Sequence, residues 1–300
     1  MVIKPLFLYF LFIFFNLTSS SPSSPPLNFN FFGTANINHN SITLTQYFND
    51  CISNPPYSNF GRVFYRYPIR FLKTSFNSTV SFYTSFSFTI IPPPPPCLSG
   101  EGIGFLITSD LNSLPDSIGS IGLPKSLDSS FLAVEFDTNF DEGLGDINNN
   151  HVGIDLDSTS SVASVDLTVN GIDLKSGKQI NAWIEYRSPE NVIQIWVGYT
   201  KIKPESPILA LPIHLSKKLN GSMYVGFSSA NGGGSAIHLI NSWYFRTSES
   251  EKCFICFPED TGKDVRETAA LVLTYVTSSL FVILVLVVLV FDIVMNYKQL

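Results

Sequence analysis

The chain has 300 residues, a formal net charge of −6, 14% aromatic and only 14% charged side chains. That balance offers no basic surface and argues against a nucleic-acid partner. Few charges and many aromatics favour strands with much buried surface, and the roughly 245 residues between two apolar termini suit one large β domain.

Residues 1–21 read as a secretory signal peptide. Lys4 supplies the positive region, Leu6 to Phe15 the apolar core and Thr18 to Ser21 a small-residue cleavage zone. The apolar run is too short to span a membrane. Export suits two acceptor sequons, Asn77-Ser-Thr and Asn220-Gly-Ser, which are expected to carry glycans.

After a Ser/Pro-rich linker, LNFNFF alternates as a strand should. VSFYTSFSFTI is the cleanest strand, with Phe82, Phe86, Phe88 and Ile90 on a core face and Ser81, Tyr83, Ser85, Ser87 and Thr89 on the other. Pro92 to Pro96 ends that strand, since proline removes ladder donors. GEGIGFLITS follows. Ala182 to Tyr186 and Val192 to Val197 alternate again, as does MYVGFSSANGGGSAIHLINSWYF towards the end. No helical period of any length precedes residue 265.

Phe131 to Asp157, FLAVEFDTNFDEGLGDINNNHVGIDLD, carries the chemistry. On an extended segment Glu135, Asp137 and Asn139 point one way. Asp141 continues the row where Gly143 and Gly145 permit a sharp turn. The loop returns through Asp146, and His151 opens a second apolar run. Four carboxylates and one imidazole repel themselves unless cations sit among them, which points to a two-metal site. Oxygen ligands alone suit calcium, and an imidazole beside carboxylates suits a first-row ion such as manganese. The plain alternative is a solvated acidic hairpin turn. An EF-hand is excluded because Glu142 stands where that loop needs glycine and Asn148 where it needs glutamate. A glycosidase acid pair is excluded because the next same-face position is Asn139. No enzymatic activity is expected.

This stretch resembles the metal-binding strand and loop of the legume (L-type) lectins. That family has E-F-D-T, then asparagine, aspartate and histidine six, eleven and sixteen residues after the glutamate. Here those offsets give Glu135, Asp141, Asp146 and His151, and VGIDLDS follows the family's IGIDVNS. Gly61 to Tyr65, Pro68 to Phe71 and the closing HLINSWYF also resemble family segments. The resemblance spans residues 27–246. It implies an all-β jelly-roll (concanavalin-like) sandwich of antiparallel sheets, with Mn2+ on Glu135, Asp137, Asp146 and His151. Ca2+ would sit on Asp137, the Asn139 carbonyl, Asp141 and Asp146.

The same resemblance implies a sugar site at Glu101, Gly119, Asn139 and Asp141. Three of these depart from the usual pattern. Asp141 replaces an asparagine and, ionised, only accepts hydrogen bonds. Glu101 is one methylene longer than the usual aspartate. Asn139 replaces a ring that packs on the sugar, and the neighbouring Phe140 is expected to point to the opposite face. Two readings follow: a metal-dependent lectin binding a glycan, or a lectin-like recognition protein whose ligand is a protein, peptide or apolar molecule.

Four cysteines lie in what is then an oxidising compartment, Cys51 and Cys97 in the domain and Cys253 and Cys256 in a stalk over 247–268. Ala269 to Phe291 is an uncharged run of 23 residues, long enough for a transmembrane helix. A lipid-anchor signal is the alternative, but the chain ends NYKQL and not in the apolar tail. The expectation is a single-pass type I protein of the plasma membrane with residues 292–300 in the cytosol. The resemblance extends to plant lectin-domain receptor kinases. Here no kinase is expected after the span, so signalling would need a membrane co-receptor kinase. The sequence also admits a homodimer.

Overall fold

The computed structural model describes residues 28–38, 41–47, 59–73, 78–112, 120–124, 130–250 and 253–257, with isolated helical positions at Thr277, Val288 and Val290. The expected signal peptide, transmembrane helix and cytosolic tail lie outside the described stretches, as do Cys51, Asn77 and Gly119. Contacts divide the chain into Met1–Ile255 and Cys256–Leu300. Among the described residues no helix is long and apolar enough to cross a membrane. Cys97, Cys253 and Cys256 are disulfide-bonded.

The first unit is all-β. Its strands are β1 (Phe29–Gly33), β2 (Asn36–Asn38), β3 (Ser41–Thr45), β4 (Phe60–Tyr65), β5 (Ile69–Arg70), β6 (Phe82–Ile91), β7 (Gly102–Thr108) and β8 (Phe131–Asp137). There follow β9 (His151–Leu156), β10 (Ala163–Asp166), β11 (Ile180–Arg187), β12 (Val192–Gly198), β13 (Leu209–Pro212), β14 (Ser222–Ala230) and β15 (Ile237–Thr247). One antiparallel sheet runs β1-β4-β14-β7-β8-β9-β10 and the other β13-β12-β11-β6-β15-β3-β2. This is the jelly-roll sandwich that the sequence implied.

The core lies between the sheets, where inward side chains of both interdigitate. Phe86 on β6 meets Phe227, Phe136 and Phe105 of the facing sheet at centroid distances of 4.8, 5.7 and 6.0 Å. Phe82, Phe86, Phe88 and Ile90 are all buried, as their alternation required. Ser87, expected on the other face, is buried too, and its hydroxyl pairs with that of Ser242 on the neighbouring strand at 2.6 Å.

Every residue of β8 is buried, so both its faces are covered. Phe136 faces the central core, whereas Phe131 and Ala133 pack with Leu123, Leu106 and Phe64 in a smaller cluster on the outer side. Glu135 and Asp137 continue that outer row towards one end of the sandwich. There β7 and β9 begin, β8 and β10 end, and the loop 138–150 folds over the carboxylates.

Candidate metal centre

Strand register assembles the centre. Asp137 stands directly opposite His151, and Glu135 lies between Gly104 on one neighbour and Gly153 on the other. Gly153 makes room for the glutamate. A Cβ on Gly153 would lie 2.3 Å from Glu135 Oε1 and 1.9 Å from Ser161 Oγ. Glu135, Asp137 and His151 each offer a ligand atom within 4.8 Å of the other two, and all three are buried.

The loop is shaped by its own side chains. Asp137 Oδ1 accepts the Asn139 N–H at 2.6 Å, which turns the chain off the strand. The Asp141 N–H donates to Asp146 Oδ2 at 2.6 Å, while the Asp146 N–H returns to the Asp141 carbonyl at 3.3 Å. This clasp closes the loop and brings Asp146 Oδ1 to 3.9 Å from His151 Nε2. Asn139 and Asp141 are half-buried at its mouth. Asn139 lies past the strand end, so the turn and not the pleat sets its place. Phe140, the next residue, is 53% exposed.

Electrostatics point to a cation. Burial, then the nearby Glu135 charge, pushes Asp137 up to about 9. Asp146 is raised, first by burial. His151 Nδ1 lies 2.7 Å from the Asn148 carbonyl, which can only accept, so Nδ1 carries the hydrogen. His151 Nε2 lies 3.5 Å from Glu135 Oε1, buried and without a hydrogen-bond partner. Burial lowers the His151 pKa, but Glu135, the Asn148 carbonyl and Asp146 together raise it above its ordinary value. Buried carboxylates forced towards their neutral forms beside an orphaned imidazole nitrogen form a donor set that fits a divalent ion.

Several contributors escaped the sequence reading. Asp155, fully buried and raised well above the usual carboxylate range by burial and by Glu135, follows His151 and Gly153 on the same strand face. The Ser161 hydroxyl joins it to the centre, 2.6 Å from Glu135 Oε1 and 2.9 Å from Asp155 Oδ1. The alternation of HVGIDL could have flagged Asp155; nothing local flags Ser161. The Asn150 amide donates to the Ile172 carbonyl at 2.8 Å and accepts the Leu174 N–H at 2.9 Å. Lys175 Nζ donates to the Asn149 and Thr138 carbonyls, tying together the two stems of the loop.

Glu101 adjoins this centre. Its carbonyl accepts the Thr138 N–H at 3.1 Å, and the Thr138 hydroxyl donates to the Gly100 carbonyl at 2.6 Å. The Glu101 side chain is turned inward, with Oε2 accepting the Ile121 N–H at 3.0 Å and the residue 3% exposed. Ile121 and Gly122 are both left-handed, at φ 53° and 69°, and Arg62 Nε holds the Gly122 carbonyl at 2.7 Å. Asp141, Asn139 and Glu101 thus gather at one end of the sandwich; Gly119 lies outside the described residues.

Comparison with known proteins decides the family. The legume lectin domain model matches residues 8–253. The chain belongs to the legume lectin family. It is 45% identical over 279 residues to the L-type lectin-domain containing receptor kinase S.6 of Arabidopsis thaliana, covering 85% of this chain. It spans 40% of that kinase's length. Among solved structures, peanut lectin with a nine-residue peptide is 30% identical, with a TM-score of 0.60, over 76% of this chain and 94% of that one. Lectin UEA-II complexed with galactose is 28% identical, with a TM-score of 0.60, over 73% of this chain and 92% of that one. Legume lectins are binding proteins and not enzymes, and this legume lectin domain is read accordingly.

Proposed function

We propose that this legume lectin domain binds carbohydrate at the sandwich end that carries Glu101, through a centre organised by calcium and manganese. The observation that carries the reading is the Asp137–His151 cross-strand pair. It stands among buried carboxylates and opens beside Glu101. Manganese would be held by Glu135, Asp137, Asp146 and His151, and calcium by Asp137, the Asn139 carbonyl, Asp141 and Asp146. When bound, such ions neutralise the carboxylates and pin the loop. Glu101, Gly119, Asn139 and Asp141 are the proposed sugar contacts. A relative solved with galactose supports carbohydrate as the ligand class.

A second reading rests on one observation: the Glu101 carboxylate is already engaged by the Ile121 N–H. A site so braced, with the metals kept for folding, suits a protein, peptide or apolar ligand. Peanut lectin solved with a peptide is in keeping with it.

The chain is further proposed to be a cell-surface protein. Residues 1–21 would direct export, 247–268 form a stalk, 269–291 cross the plasma membrane and 292–300 lie in the cytosol. Asn77 and Asn220 would carry glycans. The 45% identity to a receptor kinase supports an extracellular lectin domain. A co-receptor kinase and a second copy of the chain are its proposed partners.

The test is a glycan array probed with the full-length protein, with calcium and manganese and again after chelation. Binding lost on chelation while the fold persists establishes the metal-dependent lectin. Silence from a folded, metal-loaded sample overturns it and favours the second reading.

A further inference from the structure

The segment joining β10 to β11 links the metal loop to the second sheet. Gly171, left-handed at φ 69°, ends a short 3-10 turn over Thr168–Asn170 and starts the segment. Ile172 and Leu174 are buried while Asp173 between them is exposed, so alternate side chains seat it. On the loop side, the Asn150 amide holds the backbone of Ile172 and Leu174, and Lys175 Nζ holds the Asn149 and Thr138 carbonyls. On the other side stands Tyr199, the first residue after β12. Its hydroxyl accepts the Asp173 N–H at 2.9 Å and donates to the Asp173 carbonyl at 3.2 Å. The Asp173 carboxylate in turn accepts the Lys175 N–H at 2.9 Å. Tyr199 is itself fixed. Asn181 Nδ2 donates to its carbonyl at 3.3 Å, and Lys178 Nζ lies 5.6 Å from its ring centroid.

A surface lysine ordinarily keeps its head in water, and fixing it costs side-chain entropy. The Lys175 ammonium is instead held against a carbonyl at either stem of the metal loop. Its hydrogen bonds go to those carbonyls and not to the carboxylates of the centre, so the ligands of an ion stay in place. We propose that the Tyr199–Asp173–Lys175 relay sets the metal loop in its closed form before an ion arrives, with Tyr199 a positioning residue for a centre it does not touch. The gain to an ion rests on the metal reading above; the closure of the loop does not. A loop closed in advance spares the ion the cost of ordering it, so the relay strengthens metal binding. Charge alone predicts the reverse. An ammonium acting only through its field repels a divalent ion, and removing it would tighten binding.

The test follows amide hydrogen exchange over 139–149 in the full-length protein after chelation, then manganese binding by isothermal titration. Lys175→Met keeps the side-chain stem and removes the ammonium; Tyr199→Phe keeps the ring and removes the hydroxyl. Exchange of the chelated loop is expected to rise at least about tenfold in the first variant and about threefold in the second, with manganese affinity falling in the same order. Unchanged loop exchange in both variants overturns the relay. A rise in Lys175→Met alone removes Tyr199 and overturns it too, as does an equal rise throughout β8 and β9, which marks general loosening. Tighter manganese binding by Lys175→Met overturns it in favour of simple repulsion. If the wild type binds neither manganese nor calcium, the metal reading falls, and the exchange comparison still decides whether the relay closes the loop.

Discussion

The Ile121 N–H donates to the Glu101 carboxylate at 3.0 Å, linking the segment before β7 to the left-handed turn beneath it. Truncating the acid strands a buried donor. Glu101→Ala is therefore expected to cost about 1–3 kcal/mol of stability, whereas Glu101→Gln keeps an acceptor oxygen and should cost less. Chemical denaturation of the metal-loaded protein checks the order. Equal losses in the two variants would show that the hydrogen bond is not what matters there.

Ser161 touches Glu135 and Asp155 and offers no charge of its own, so its effect on an ion is exerted by orienting Glu135. Ser161→Ala should weaken manganese binding roughly 10–100-fold, the range typical of partners behind the ligands. Isothermal titration of the chelated protein reads this directly. Wild-type affinity in the variant would remove Ser161 from the centre.

Gly153 is hemmed in by the same two side chains. A methyl group there would lie 1.9 Å from Ser161 Oγ and 2.3 Å from Glu135 Oε1. Gly153→Ala is expected to destabilise the domain by about 1–3 kcal/mol through overpacking. Bound manganese measured by elemental analysis should fall with it. A variant that keeps both stability and metal would mean that the strands yield more easily than the packing suggests.

Asp137 contributes to the pH response of the metal-free protein, beside Asp146 and Asp155, whose pKa values are also raised. Its folded pKa is raised from 3.8 to about 9, chiefly by burial and then by Glu135. The folded state thus binds more protons than the unfolded chain throughout that interval. Stability is fully present below 3.8 and is lost as pH rises towards about 9. Melting temperatures of chelated protein should fall across this window. Calcium and manganese should abolish the fall, since they replace the proton as the neutralising charge. A flat profile without metal would count against the crowding of carboxylates described here.

His238 contributes an acid-side loss of stability of its own. The Thr45 hydroxyl donates to the Ala236 carbonyl at 2.9 Å and so accepts from His238 Nδ1 at 2.6 Å. His238 Nε2 is left buried without a partner, and burial depresses the pKa from 6.5 to about 3. The folded pKa lies below the unfolded one, so this contribution is complete above 6.5 and is lost as pH falls towards about 3. His238→Gln should flatten that part of the metal-loaded melting profile, and an unchanged slope would assign acid lability elsewhere.

The class of fold, the principal strands and the pairing of Glu135 with Asp137 were legible in the order of residues alone. Alternation in VSFYTSFSFTI and the shared face of Glu135 and Asp137 are local properties, because a strand's period of two fixes which side chains share a face. Where the chain leaves the strand that rule lapses. Asn139 and Phe140 took their places from a turn closed by the Asp137 and Asp141–Asp146 hydrogen bonds. Only the tertiary structure could bring Gly104 and Gly153 to either side of Glu135, set Ser161 between two acids and lay Lys175 across the loop stems. Those residues are neighbours through strand register and loop packing, and neither is encoded in the spacing of any one segment. The engagement of Glu101 by Ile121 belongs with them: its charge was legible, but its direction depended on a backbone N–H twenty residues away.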